Sequence, residues 1–201
     1  MSNGNMLRRL ILLPALTLVS VLLARGAAQQ SPLSDRDTYA VYAALLAKSG
    51  ASSVDRRPLV IRSDTRTRSN ISCLPSGRPL AGEWKPVMDD FLSQNASQRF
   101  LDQSLLVVQV PFEIVAWTEI MTGEDTYDAW KHFRARWPKA EGYYDVTAVG
   151  FNPARTRAIV YVGFHRGAGR GEGRYHFMEK TGEWGEVVLD GVNACQGLPF
   201  Y

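Results

Sequence analysis

The chain has 201 residues, 45% of them hydrophobic and 21% charged, with a formal charge of +3 at neutral pH. That length suits one domain with an appendage. The ordinary apolar content excludes a disordered tail, a collagen-like fibre and a many-spanning membrane protein.

Arg8 and Arg9 precede an apolar run over residues 10–24, which is followed by Arg25-Gly-Ala-Ala28. A basic start, about 15 apolar residues and small residues before a polar stretch make the pattern of a secretory signal peptide. Gly26 and Ala28 take the −3 and −1 positions for cleavage after Ala28. A membrane span needs about 20 apolar residues, and Pro14 weakens the run further. The expectation is a cleaved signal over 1–28 and a single secreted or periplasmic domain over 29–201, with no stable membrane anchor after cleavage. Arg8, Arg9 and Arg25 are three of the 23 basic residues, and without them the basic count equals the 20 acidic residues. The basicity belongs to the signal, so it supports no nucleic-acid partner.

In the mature part, Ser34 followed by Asp37 resembles a capping box. Tyr39, Tyr42, Leu45 and Leu46 then recur at helical spacing, and Gly50 supplies a stop. This predicts a helix over 35–48. Residues 58–62 read as a short strand. Between Arg56 and Arg78 lie six arginines against Asp64 alone, and Arg62, Asp64, Arg66 and Arg68 would share one face of an extended segment. With no aromatic residue there to stack a base, a solvated strand face is expected. Residues 65–82 read as a long loop. Cys73 within it and Cys195 near the C-terminus are the only cysteines. In an oxidising compartment an even pair predicts one disulfide, closing a loop of about 120 residues and contributing on the order of 5 kcal/mol.

Pro86 opens a second helix carrying Val87, Met88, Phe91 and Leu92. Residues 105–116 are dense in Val, Leu and Ile, and Pro111 points to a strand at a sheet edge. A third helix over 125–137 aligns Tyr127, Trp130, Phe133, Arg134 and Trp137, a stripe read as core packing. From Tyr143 the period becomes two, giving strands over 144–150, 156–165, 174–180 and 183–189 with short connections. Short connections make neighbouring strands antiparallel. The predicted fold class is therefore α+β: N-terminal helices packed on a curved antiparallel sheet that ends in a four-strand meander, of the cystatin-like or nuclear-transport-factor-like kind.

The stretch Arg166-Gly-Ala-Gly-Arg-Gly-Glu-Gly-Arg174 reads as a hairpin loop. Arg166, Arg170 and Arg174 there could make an anion-binding lip with the backbone N–H groups. The alternative is a mobile tip kept soluble by arginine. His165 and His176 could meet across the hairpin near Glu172 and Glu179, but only in one register, so no metal is expected, and no cofactor. Hydrolytic signatures such as Gly-x-Ser-x-Gly and His-Glu-x-x-His are missing. Glu113, Glu119, Asp128 and Asp145 are carboxylates whose pairing the sequence leaves open. Asn70-Ile-Ser72 and Asn95-Ala-Ser97 match the glycosylation pattern, which a bacterial host, the expected one, would usually leave unused.

The block Val149-Gly-Phe-Asn-Pro-Ala-Arg-Thr-Arg-Ala-Ile-Val-Tyr-Val162, with Gly171-Glu-Gly-Arg-Tyr-His-Phe-Met-Glu-Lys180 and Gly182-Glu-Trp184, resembles a family of exported bacterial proteins of uncharacterised activity. The aromatic helix leading to Trp137-Pro138 and Gly142-Tyr143 fits them too. The resemblance spans residues 125–187 and implies kinship, with no catalytic residues to transfer. Many of these relatives carry a Cys-Gly-x-x-Cys-Gly loop where this chain has Arg166 and Arg170. The functional expectation is a non-catalytic binding or interaction domain for a protein or small-molecule partner. The alternative is a small-molecule pocket, or a small hydrolase or isomerase, on one of the two folds named.

Overall fold

The computed structural model describes residues 32–51, 57–67 and 82–189. The signal segment, Cys73, Cys195, Arg68 and Asn70 lie outside the described residues. Helix α1 (Arg36–Ala51) is followed by strand β1 (Leu59–Arg62) and, after a 3-10 turn at Gly82–Trp84, helix α2 (Lys85–Gln94). Strand β2 (Phe112–Val115), the short α3 (Trp117–Ile120) and α4 (Thr126–Arg136) come next. The chain then runs through β3 (Tyr143–Val146), β4 (Gly150–Phe151), β5 (Arg157–Gly167), β6 (Arg170–Thr181) and β7 (Glu183–Val187). The fold is α+β, as the patterning required.

One sheet takes all the described strands, in the order β2-β1-β3-β5-β6-β7, with β4 also on β5. It is mixed rather than wholly antiparallel, because β1 runs parallel to both β2 and β3. The meander β3–β5–β6–β7 is antiparallel throughout. Pro111 stands just before β2, which is the edge strand, so a missing amide donor there costs little.

Alternation along the strands divides the core between the two faces of the sheet, and helices pack on both. Leu59, Ile61, Tyr144, Val146, Ala158, Val160 and Met178 point to the face packed by Tyr39, Tyr42, Leu45 and Leu46 of α1. Their neighbours in sequence point the other way. Ile159, Tyr161, Tyr175 and Phe177 meet Trp84, Val87 and Phe91 of the α2 region, while Val60 and Tyr143 meet Trp130, Phe133 and Trp137 of the α4 region. The aromatic stripe of α4 is therefore core, except that Tyr127 is 79% exposed. Asp125, not part of the helix, caps α4 by accepting the Asp128 amide at 2.8 Å. At α1 the first-turn acceptor is Asp35 rather than Ser34: its carboxylate accepts the Asp37 amide at 3.1 Å and the Thr38 hydroxyl at 3.0 Å.

Helix α2 is fastened to the sheet by two side chains. Asn95 is buried; its Nδ2 donates to the Phe91 and Ala148 carbonyls at 2.8 and 2.9 Å, and its Oδ1 accepts the Ala148 amide at 2.9 Å. A glycan at Asn95 would break all three bonds. Asp90 accepts the Phe151 amide at 2.7 Å. Gly150 is what lets the helix come this close, since a Cβ there would lie 2.4 Å from the Phe91 Cα. Gly150→Ala is therefore expected to destabilise the domain by about 1–3 kcal/mol through overpacking. A urea denaturation midpoint unchanged from wild type would contradict this account of the α2–sheet contact.

Candidate functional site

The glycine-rich stretch is not a long loop. β5 and β6 continue to Gly167 and Arg170, and the turn is only Ala168-Gly169, with Gly169 at φ 65°. Such a positive φ suits glycine in a two-residue hairpin turn. The glycines inside the ladder have a different role. Along the α2/α4 face, a Cβ on Gly163 would stand 2.2 Å from Asp145 Oδ1, and one on Gly173 would stand 1.9 Å from the Tyr161 hydroxyl. A Cβ on Gly171 would stand 3.1 Å from His165 Nδ1. Three polar side chains thus lie across three glycines, in places that any side chain at 163 or 173 would block.

Asp145, 1% exposed, is at the centre of this floor. The register Tyr143↔His165 and Asp145↔Gly163 puts Asp145 and His165 diagonally adjacent on one face. Asp145 Oδ2 lies 3.0 Å from His165 Nε2 and accepts from Arg66 at 2.7 Å. Arg66 arrives from the segment after β1, placed by a bridge between Arg66 and Thr147. The Tyr143 ring stacks on the His165 imidazole at 4.6 Å, with 10° between planes. Burial pushes the Asp145 carboxyl up, but the His165 hydrogen bond and the Arg66 charge outweigh it and hold the group below the usual carboxylate range. The same carboxylate keeps Arg66 charged despite its own desolvation. Burial, helped by the Asp145 charge, raises the Tyr143 phenol well above its ordinary value. Asp145 Oδ1 has no hydrogen-bond partner among the described residues.

Beside this triad, at the end of the sheet, an open cleft of about 1210 Å³ lies between the C-terminal end of α4 and the β5–β6 tip. Arg57, Arg134, Lys139, Arg166 and Arg170 line it, with Glu141 and Glu172. Both carboxylates are taken: Glu141 by Arg57, and Glu172 by Arg166 at 2.7 Å. Arg134, Lys139 and Arg170 form no ion pair with a described residue, and Arg134 leans on the Arg166 carbonyl at 3.1 Å. The cleft therefore carries uncompensated positive charge. Gly171 lines it as well, next to the free edge of His165.

The sequence-predicted residues divide. Arg166 and Arg170 reach the cleft, but Arg174 does not. It stands four residues further along β6 than Arg170, opposite Val162, where its charge acts on Glu186 instead. His165 and His176 are on opposite faces, because His165 pairs with Gly171 and His176 with Val160, an odd number of residues apart. His176, buried, contacts Glu186 at 2.8 Å instead. Glu179 and Glu172 are held by Arg157 and Arg166. Arg62, Asp64 and Arg66 are not a solvated face: Arg62 holds the buried Asp64 at 2.9 Å, and Arg66 reaches Asp145. Glu113 and Glu119 share Arg136 rather than pairing as acid and base, and Asp128 contacts His132 at 3.3 Å. Sequence reading missed Arg57, Arg134, Lys139 and the Arg66–Asp145–His165 contact. The available signal for the last was the spacing of Asp145 and His165 about one antiparallel connection.

Asp145→Asn removes the charge that holds Arg66 and reverses one donor–acceptor role, so a loss of about 3 kcal/mol is expected at neutral pH, as for breaking a buried ion pair. Because the folded-state pKa of Asp145 lies below its unfolded value, its contribution is complete above about pH 4 and is lost as pH falls through the folded pKa. The variant should therefore show a shallower acid limb of stability against pH. Parallel acid limbs for both proteins would contradict the assignment.

No protein-family model, curated protein or solved structure matches the chain.

Proposed function

We propose that this is a non-catalytic binding domain that takes a polyvalent anion in the basic cleft. The supporting observation is the imbalance of charge there: five cationic side chains face two carboxylates that are already paired. Guanidinium groups on two opposed walls suit oxyanions, which they bind through paired N–H donors. Among the described residues no side chain hydrogen-bonds His165 Nδ1 as a nucleophile would, and no group of three or more His, Cys, Asp or Glu is placed to hold a metal. That favours binding over turnover. If residues 1–28 direct export, the ligand is met in the periplasm or outside the cell.

Calorimetric titration with tricarballylate, a tricarboxylate without a hydroxyl group, tests the reading. Binding is expected to weaken about tenfold or more in the double variant Arg134→Ala, Arg170→Ala, and to weaken as salt is raised. Absence of binding to the wild-type protein at low salt, or equal affinity in the double variant, would overturn it.

A further inference from the structure

We infer that the ligand of the cleft is a hydroxylated carboxylate, an anion bearing a hydroxyl close to its charge, with His165 Nδ1 reading the hydroxyl. This rests on the anion-binding reading of the cleft and adds the feature that selects among anions. Asp145 is ionised and contributes acceptors only, so in the neutral imidazole the proton sits on Nε2, 3.0 Å from Asp145 Oδ2. Nδ1 is then left as a lone-pair acceptor. It has no hydrogen-bond partner among the described residues, nor is it one of the fully buried unpartnered atoms, and the side chain is 13% exposed. The ring cannot turn away, because Tyr143 stacks on it at 4.6 Å and Asp145 holds one edge.

Gly171 connects this acceptor to the cleft. It lines the cleft, and its position across from His165 means that any Cβ there would crowd Nδ1 at 3.1 Å. Arg134, carried by α4 on the same face of the sheet as His165, lines the cleft and reaches the carbonyl of Arg166, the residue after His165, at 3.1 Å, so a guanidinium donor and a fixed acceptor stand at the same end of that face. An anion with carboxylates alone satisfies the donors and leaves Nδ1 unused. A hydroxyl beside a carboxylate serves both, as donor to Nδ1 and as part of the bound anion.

Citrate and tricarballylate differ by one hydroxyl, and both are fully ionised at about pH 8. Wild-type protein is expected to bind citrate about tenfold more tightly than tricarballylate, the effect of one well-placed hydrogen bond. Gly171→Ala, which crowds Nδ1 but leaves the His165–Asp145 contact in place, should abolish that preference, read as the ratio of the two affinities within the variant. His165→Phe, which keeps the stack on Tyr143, should do the same, and the Gly171 variant decides the matter if His165→Phe does not fold. Equal wild-type affinity for the two anions, or a preference that survives in Gly171→Ala, would overturn the role of His165 and leave the anion cleft standing. Failure of wild type to bind either anion would instead overturn the cleft reading on which it rests.

Discussion

A carboxylate at the bottom of a sheet face has to be kept charged by its neighbours or it takes up a proton, and Asp145 is kept charged by Arg66 and His165. Much of the chain is arranged around that requirement. β3 and β5 must pair in the register that makes Asp145 and His165 diagonal neighbours. The segment after β1 must bring Arg66 across β3, which the parallel pairing of β1 with β3 and the bridge to Thr147 achieve. Residues 163 and 173 must lack side chains so that Asp145 and Tyr161 can lie flat on the sheet.

Stability alone is a poor reason for such an arrangement. Removing charges from water generally costs as much as their mutual attraction returns, unless every remaining lone pair is satisfied, and Asp145 Oδ1 has no described partner. Positional control is a better reason. The triad fixes the tautomer, tilt and edge of one imidazole, and it does so beside a cleft whose positive charge is not cancelled by its own carboxylates. Rigid placement of a few polar groups within an otherwise generic fold is how binding sites acquire selectivity.

Local periodicity made most of the fold legible. The helices around Tyr39–Leu46, Val87–Phe91 and Trp130–Trp137, the edge strand after Pro111 and the final meander all follow from residue spacing. The parallel β1 pairings did not, because they join segments tens of residues apart and leave no local mark. The hairpin was misjudged for a physical reason: glycine usually punctuates a strand, whereas Gly163, Gly171 and Gly173 are ladder positions beneath Asp145, His165 and Tyr161. Part of the candidate site was visible for the same kind of reason. Arg166 and Arg170 flank the turn and reach the cleft, whereas Arg174, four residues further along β6, stands away from the tip. Arg57, Arg134 and Lys139 belong to other elements, and only the tertiary fold brings them to the same end of the sheet.

The central claim is that Asp145 and Arg66 fix the tautomer of His165. Nitrogen-15 NMR of the histidine side chains reports it directly, because protonated and lone-pair imidazole nitrogens resonate far apart. The account predicts that the neutral ring of His165 carries its proton on Nε2, with Nδ1 as the unprotonated nitrogen. It also predicts that the proton loses this preference in Asp145→Asn. A neutral His165 protonated on Nδ1 in the wild-type protein would contradict it.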